Sequence, residues 1–106
     1  MTDFKKRERG EEAKFAMSED ILFKTNARRN KLLGLWAAGL LKLSDEDSLN
    51  YALELLKLGA EKDGDGRVFK KIRADFDANN VEQSDHQIHR TVEEFQAKAL
   101  RKIEDS

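Results

Sequence analysis

The chain contains no cysteine and no proline. Without cysteine there is no disulfide framework and no thiolate chemistry, which fits a reducing compartment. Without proline, helices run uninterrupted, since nothing removes a backbone donor or clashes with the preceding turn. Glycine is sparse at six positions, and there is one Trp and one Tyr. An excess of one charge is missing too: 20 basic and 21 acidic residues leave a net charge of −1. That balance speaks against nucleic acid, whose phosphates call for surplus Lys and Arg, and against general binding to anionic membranes. Long apolar runs are absent as well. The longest, Leu32 to Leu41, spans ten residues, half of the roughly 20 a membrane-spanning helix needs. It follows a polar, charged stretch containing Glu8, Glu11, Glu12, Glu19 and Asp20, so it does not read as a secretory signal. The remaining reading is the centre of a core, a helix apolar on all sides.

What is present is charge at helical spacing. With 106 residues, of which 39% are charged, the chain suits one small domain. Ser18 is a good N-cap for a first helix over about 18–43, with Glu19 and Asp20 complementing its dipole. Leu22, Arg29, Leu32, Leu33, Trp36, Leu40 and Leu43 make its stripe, and Trp36 reads as core rather than as a recognition residue. "SDED" caps a second helix, about 45–58, with Leu49, Leu53 and Leu56 on one face, widened by Tyr51, Leu55 and Leu58. "EKDGDG" reads as a loop. A third helix, about 65–77, carries Phe69, Ile72 and Phe76, and "ANN" offers Asn79 or Asn80 for a left-handed C-cap. Ser84 and Gln87 form a second capping box. A fourth helix, about 85–104, shows Ile88, Val92, Phe95, Ala99 and Ile103 in series. The expected fold is all-α, a small four-helix bundle with a helix-prone N-terminal arm.

No reaction site assembles from these residues. His86 and His89 stand three apart beside Asp85, a spacing able to ligate a transition metal, yet structural zinc takes four Cys or His ligands. "DFDANN" begins like a calcium loop with Asp75, Asp77 and Asn79. Asn80 then replaces the required glycine, and His86 the bidentate glutamate. There is no phosphate-cradling glycine motif and no nucleophile elbow. Neither a metal nor a cofactor is expected.

Residues 1–17 hold five basic and four acidic side chains. Alone, such a segment buries too little surface to offset its ordering entropy. Its Glu, Lys, Arg and Ala favour helix, with only Gly10 costing about 1 kcal/mol. Phe4 and Phe15 lie about three helical turns apart and share one stripe. Composition leaves two readings open: a disordered tail, or a helix that forms on a partner.

The chain resembles a known family. "RE" at Arg7–Glu8, "EAKFA" at Glu12–Ala16, "ARRNKLLGLWAAGLL" at Ala27–Leu41, "RADF" at Arg73–Phe76 and "SDHQI" at Ser84–Ile88 are similar to the zeta subunit of the alphaproteobacterial F-type ATP synthase, an inhibitor of ATP hydrolysis. The resemblance implies a non-enzymatic protein, monomeric when free. Its arm, residues 1–17, would become helical in a catalytic interface between the alpha and beta subunits, beside gamma. It further implies contacts from Phe4, Arg7, Glu8, Arg9, Glu11, Glu12, Lys14 and Phe15. The implied location is the cytoplasm, peripheral to the inner face of the plasma membrane when bound, with no insertion into it. "RERGEE" departs from the family's pattern, closer to "RERAFE": Gly10 replaces a helix former and Glu11 an aromatic anchor. By the resemblance, the two changes together would weaken binding by about 3 kcal/mol, over a hundredfold. The alternative is a small-ligand or metal-sensing bundle using His86, His89 and the acidic loops.

Overall fold

The computed structural model describes residues 18–104; residues 1–17 and 105–106 lie outside the described residues. Four helices follow in order: α1 Glu19–Leu40, α2 Asp45–Gly59, α3 Gly64–Ala78 and α4 Asp85–Glu104. Among the described residues there is no strand. The chain runs up, down, up and down. Gly34 meets Ala52 between α1 and α2, Tyr51 bonds Asp75 between α2 and α3, and Arg29 bonds Gln96 between α1 and α4. The all-α four-helix expectation holds.

Each helix start has a local cause. The Ser18 hydroxyl accepts from the Ile21 amide at 3.2 Å, and that of Ser44 from the Asp47 amide at 3.1 Å. Before α4, Ser84 and Gln87 cap each other: the Ser84 amide donates to the Gln87 side chain, and the Gln87 amide to the Ser84 hydroxyl. Such caps satisfy amide donors that have no carbonyl one turn earlier.

Helix α1 stops at Leu40, three residues before the expected end. Lys42 takes a left-handed φ of 59°, its amide donates to Gly39, and that of Leu43 reaches back to the Ala38 carbonyl at 3.1 Å. This is a Schellman closure with lysine in the position glycine usually holds. The left-handed backbone costs a non-glycine residue about 1–2 kcal/mol, and Leu43 recovers part of it by packing on the core. Helix α3 ends the same way: Asn80 has φ 58°, the Val81 amide donates to Phe76 at 2.9 Å, and Val81 packs on the core. The asparagine was foreseeable; the lysine was not.

The stretch read as a loop is shorter than expected, because α3 already begins at Gly64. Asp63 turns the chain with φ 57°, and a Cβ on Gly64 would overlap the Gly59 carbonyl. Glycine is therefore required at 64 by close backbone approach.

The core is built from Leu33, Ala37, Tyr51, Leu55, Val68, Ile72, Phe76 and Ile88. Trp36 meets Phe76 edge-on at 5.6 Å and 70°, so it is a packing residue, partly buried. The α1 run does lie at the centre, but is not buried all round: Gly34, Ala37 and Ala38 face inward while Leu35 remains exposed. Leu22, placed in the stripe, is also exposed. On α2 the expected face is only partly right, because the wider positions are buried and the leading leucines are not. Leu49 and Leu53 are about half exposed, while the expected Tyr51 and Leu55 are buried, together with Ala52. Small residues at Gly34 and Ala52 let the two backbones close, and that contact fixes the rotation of α2. A leucine-rich helix with more apolar sides than it can bury leaves two of its leucines in water.

This crossing gives a paired expectation. A Cβ on Gly34 would stand 2.5 Å from the Ala52 Cα, whereas one on Gly39 meets nothing within 4 Å. Gly39→Ala should raise stability by about 0.5–1 kcal/mol through helix propensity. Gly34→Ala should lower it by about 1–3 kcal/mol through overpacking. Urea denaturation midpoints of the two variants, read against the parent, check the opposite signs.

Candidate functional site

The segment preceding α1 is the region the sequence singles out, so its base is where the described structure bears on function. From Ser18 the helix begins with exposed apolar groups: Ile21, Leu22 and Phe23, the last 61% exposed. Three successive residues sweep about 200° of a helix, so the first turns of α1 present apolar surface to solvent on most sides. Phe23 also borders a groove of about 130 Å³ with Ala27, Asn30, Leu56, Gly59 and Ala60.

Two turns further along, Arg29 is buried, its side chain 8% exposed. Its Nη2 donates to Asp65 Oδ1 at 2.6 Å and to Asn30 Oδ1 at 3.1 Å. Its Nε also reaches Asn30 Oδ1, at 3.2 Å, and Nη1 donates to Gln96 Oε1 at 3.1 Å. A buried guanidinium is tolerable only with such a full set of acceptors. These bonds tie α1 to the start of α3 and to the middle of α4. Asn30, itself buried, lies where Gly59 has no Cβ; a side chain there would overlap its amide. Arg29, Asp65, Phe69, His89 and Val92 line a cleft of about 290 Å³, mostly apolar. The sequence placed Arg29 in the helical stripe, but gave no sign of Thr25 and Asn30, which are buried polar residues. Thr25 satisfies its hydroxyl locally on the Ile21 carbonyl at 2.7 Å.

The two histidines do not converge on a common centre. His89 stacks flat on Phe69, ring centroids 4.4 Å apart and 7° from parallel, and His86 is exposed at the start of α4. Among the described residues no three His, Cys, Asp or Glu side chains come together as metal ligands. Asp75 of the calcium-like stretch instead accepts from the Tyr51 hydroxyl at 2.8 Å and pairs with Lys71 at 3.2 Å. Lys71 also reaches Glu54 at 3.1 Å. Asp77 pairs with Arg73 at 2.7 Å, and Asn79 closes α3 through its side-chain amide on the Asp75 carbonyl. These acids are occupied within the bundle. No helix among the described residues is long and apolar enough to cross a membrane.

The sequence profile of the ATPase inhibitor subunit zeta family matches residues 1–102. The chain belongs to that family. Among curated proteins none matches it. The family match takes in all four helices as far as Lys102, and also the whole N-terminal segment. Phe4, Arg7, Glu8, Arg9, Glu11, Glu12, Lys14 and Phe15 lie outside the described residues, so the zeta-type contacts expected of them have no geometry here.

Two expectations follow from the polar groups of the bundle. Asp65→Asn weakens the bond to a buried guanidinium that keeps its other acceptors. It should lower unfolding free energy by about 1–3 kcal/mol, and Arg29→Ala by more, both read from urea denaturation. The second concerns alkaline pH. Burial, then the bond to Asp75, pushes the Tyr51 phenol far above its ordinary value. For Lys71 burial acts downward, but bonds to Glu54 and Asp75 outweigh it and the ammonium is raised. Both groups hold their protons in the folded chain after the unfolded chain has released them, so stability present below about pH 10 is lost as pH rises beyond it. Thermal midpoints between pH 8 and 11 should fall in the parent and fall less in Tyr51→Phe.

Proposed function

We propose that this chain restrains ATP hydrolysis by an F-type ATP synthase, with residues 1–17 entering a catalytic interface between alpha and beta subunits as a helix beside gamma. The chain has no chemistry of its own in this reading. It acts as a wedge that stops the closing and opening on which hydrolysis depends, and it works at the cytoplasmic face of the membrane that carries the synthase.

The observation that carries the reading is the zeta-family match, which runs from residue 1 and so includes the arm together with the bundle. The base of the arm supports it physically. Ser18 caps α1 through one side-chain bond, a contribution of about 1 kcal/mol. Continuing the helix upstream replaces that bond with backbone carbonyls. The exposed Ile21, Leu22 and Phe23 would carry apolar contact on from the arm's Phe4 and Phe15. The charged side chains, Arg7, Glu8, Arg9, Glu11, Glu12 and Lys14, would set register by matching charges across the interface, where pairing fixes specificity more than it adds affinity.

The full chain added to synthase heads should inhibit ATP hydrolysis, and Phe4→Ala/Phe15→Ala should weaken that inhibition by tenfold or more. Hydrolysis left untouched by the full chain would sink the proposal. Gly10 gives a graded test. Gly10→Ala removes about 1 kcal/mol of helix cost, so the concentration for half inhibition should fall about fivefold.

A further inference from the structure

The near-zero net charge hides an uneven distribution. The turn between α1 and α2 opens α2 with Asp45, Glu46 and Asp47; the junction of α3 and α4 at the same end of the bundle adds Glu82, and Asp77 and Asp85, which share Arg73. Between the first half of α1 and the last turns of α4 the sign reverses. Arg28 and Leu32 of α1 and Lys98, Arg101 and Lys102 of α4 line one shallow depression of about 570 Å³. Arg28, Lys98 and Arg101 are exposed. Of these, Lys98 lies over the Phe95 ring at 6.0 Å, and Glu94 borders the neighbouring surface with Lys98 and Arg101. Arg101 and Lys102, in the last turn of α4, complement the C-terminal end of their helix dipole. Arg28 has no such reason, because it sits mid-helix on α1 and faces the same depression.

We propose that this α1/α4 face is a second docking contact, taking an acidic surface of the synthase head outside the interface the arm enters. The inference rests on the inhibitory reading above and names a further part of its partner. Charge complementarity selects the occupant: cations around a partly buried leucine suit a protein surface with clustered carboxylates. Position supports it. Arg28 lies ten residues beyond Ser18 on the same helix, roughly 15 Å at 1.5 Å per residue, so an inserted arm would hold this face against the surface around its entry point. Such a patch acts mainly on encounter, by steering association at long range.

The test uses the full chain with two exposed, non-core changes, Arg28→Glu/Arg101→Glu, and the neutral pair Arg28→Gln/Arg101→Gln, each first confirmed folded by thermal midpoint. Binding to isolated synthase heads is followed by rates at several salt concentrations, in parallel with hydrolysis. The expected result is association about tenfold slower for the reversed pair, intermediate for the neutral pair, with a flatter salt dependence than the parent and dissociation little changed. Unchanged association and salt dependence would overturn the proposal, and so would retention of the full chain by anionic phosphatidylserine vesicles but not by heads. Failure of the arm reading is separable. The parent chain would then bind heads in a salt-dependent way, sensitive to the reversal, without inhibiting hydrolysis.

Discussion

A guanidinium out of water must be surrounded by acceptors, and Arg29 obtains them only when three helices are in register. Asp65 opens α3, Gln96 lies midway along α4, and Asn30 is its own neighbour on α1. Asn30 in turn needs Gly59 at the end of α2 to lack a side chain. Thus one buried cation specifies how all four helices meet at the end of the bundle from which the arm departs. Its value lies in this registry more than in net stability, because taking the guanidinium out of water cancels much of what its pairing returns. Asp65 is largely exposed, so its share of the desolvation is small and the pair is favourable on balance.

The opposite end is fixed by different means. There the chain closes α1 and α3 with left-handed residues, Lys42 and Asn80, and tucks Leu43 and Val81 beneath them. Between the two ends, the small residues Gly34 and Ala52 set the distance between α1 and α2. Tyr51 then finds Asp75 across the α2/α3 seam, and Lys71 sits over its ring at 5.1 Å. Few of these contacts are strong alone. Together they leave no buried side-chain polar atom without a partner among the described residues, which is what lets a highly charged sequence pack a single core.

Much of this was legible in the sequence, for reasons that can be named. Helix starts announce themselves locally: Ser18, Ser44 and the Ser84–Gln87 box each act within one turn, so no tertiary knowledge is needed. Period is likewise local, and Ile72, Phe76 and Ile88 were placed correctly by it. Rotation is not local. Leu49 and Leu53 obey the helical period as well as Tyr51 and Leu55 do, and only the approach of Gly34 to Ala52 decides between the two faces. Lys42 was missed because its left-handed turn is stabilised by where Leu43 lands, not by anything lysine prefers. Asn30 was missed because a polar residue within a helix normally faces water, and only the missing Gly59 side chain makes room for it inside. On the arm, charge spacing and the Phe4–Phe15 stripe left two readings open, and family membership favours one of them without supplying geometry.

The arm joins the bundle in sequence at the start of α1, and this shapes how an inhibitor of the proposed kind would work. Ordering a charged segment costs about 1–2 kcal/mol per residue in backbone entropy alone, which polar side chains recover poorly. A separate peptide would bear that cost together with the loss of its free translation. Here the helix nucleus already exists: α1 is held by Leu33, Ala37 and Arg29 against three neighbours, and extension beyond Ser18 is propagation, which avoids the unfavourable first turn. The bundle then restricts where the arm can go, and any contact its own surface makes raises the arm's effective concentration at the interface. If the arm extends α1 as proposed, Gly10 would oppose that extension, and more of the binding free energy would have to come from outside the arm. In the proposed reading, the exposed Ile21, Leu22 and Phe23 and the cations beyond them would supply it.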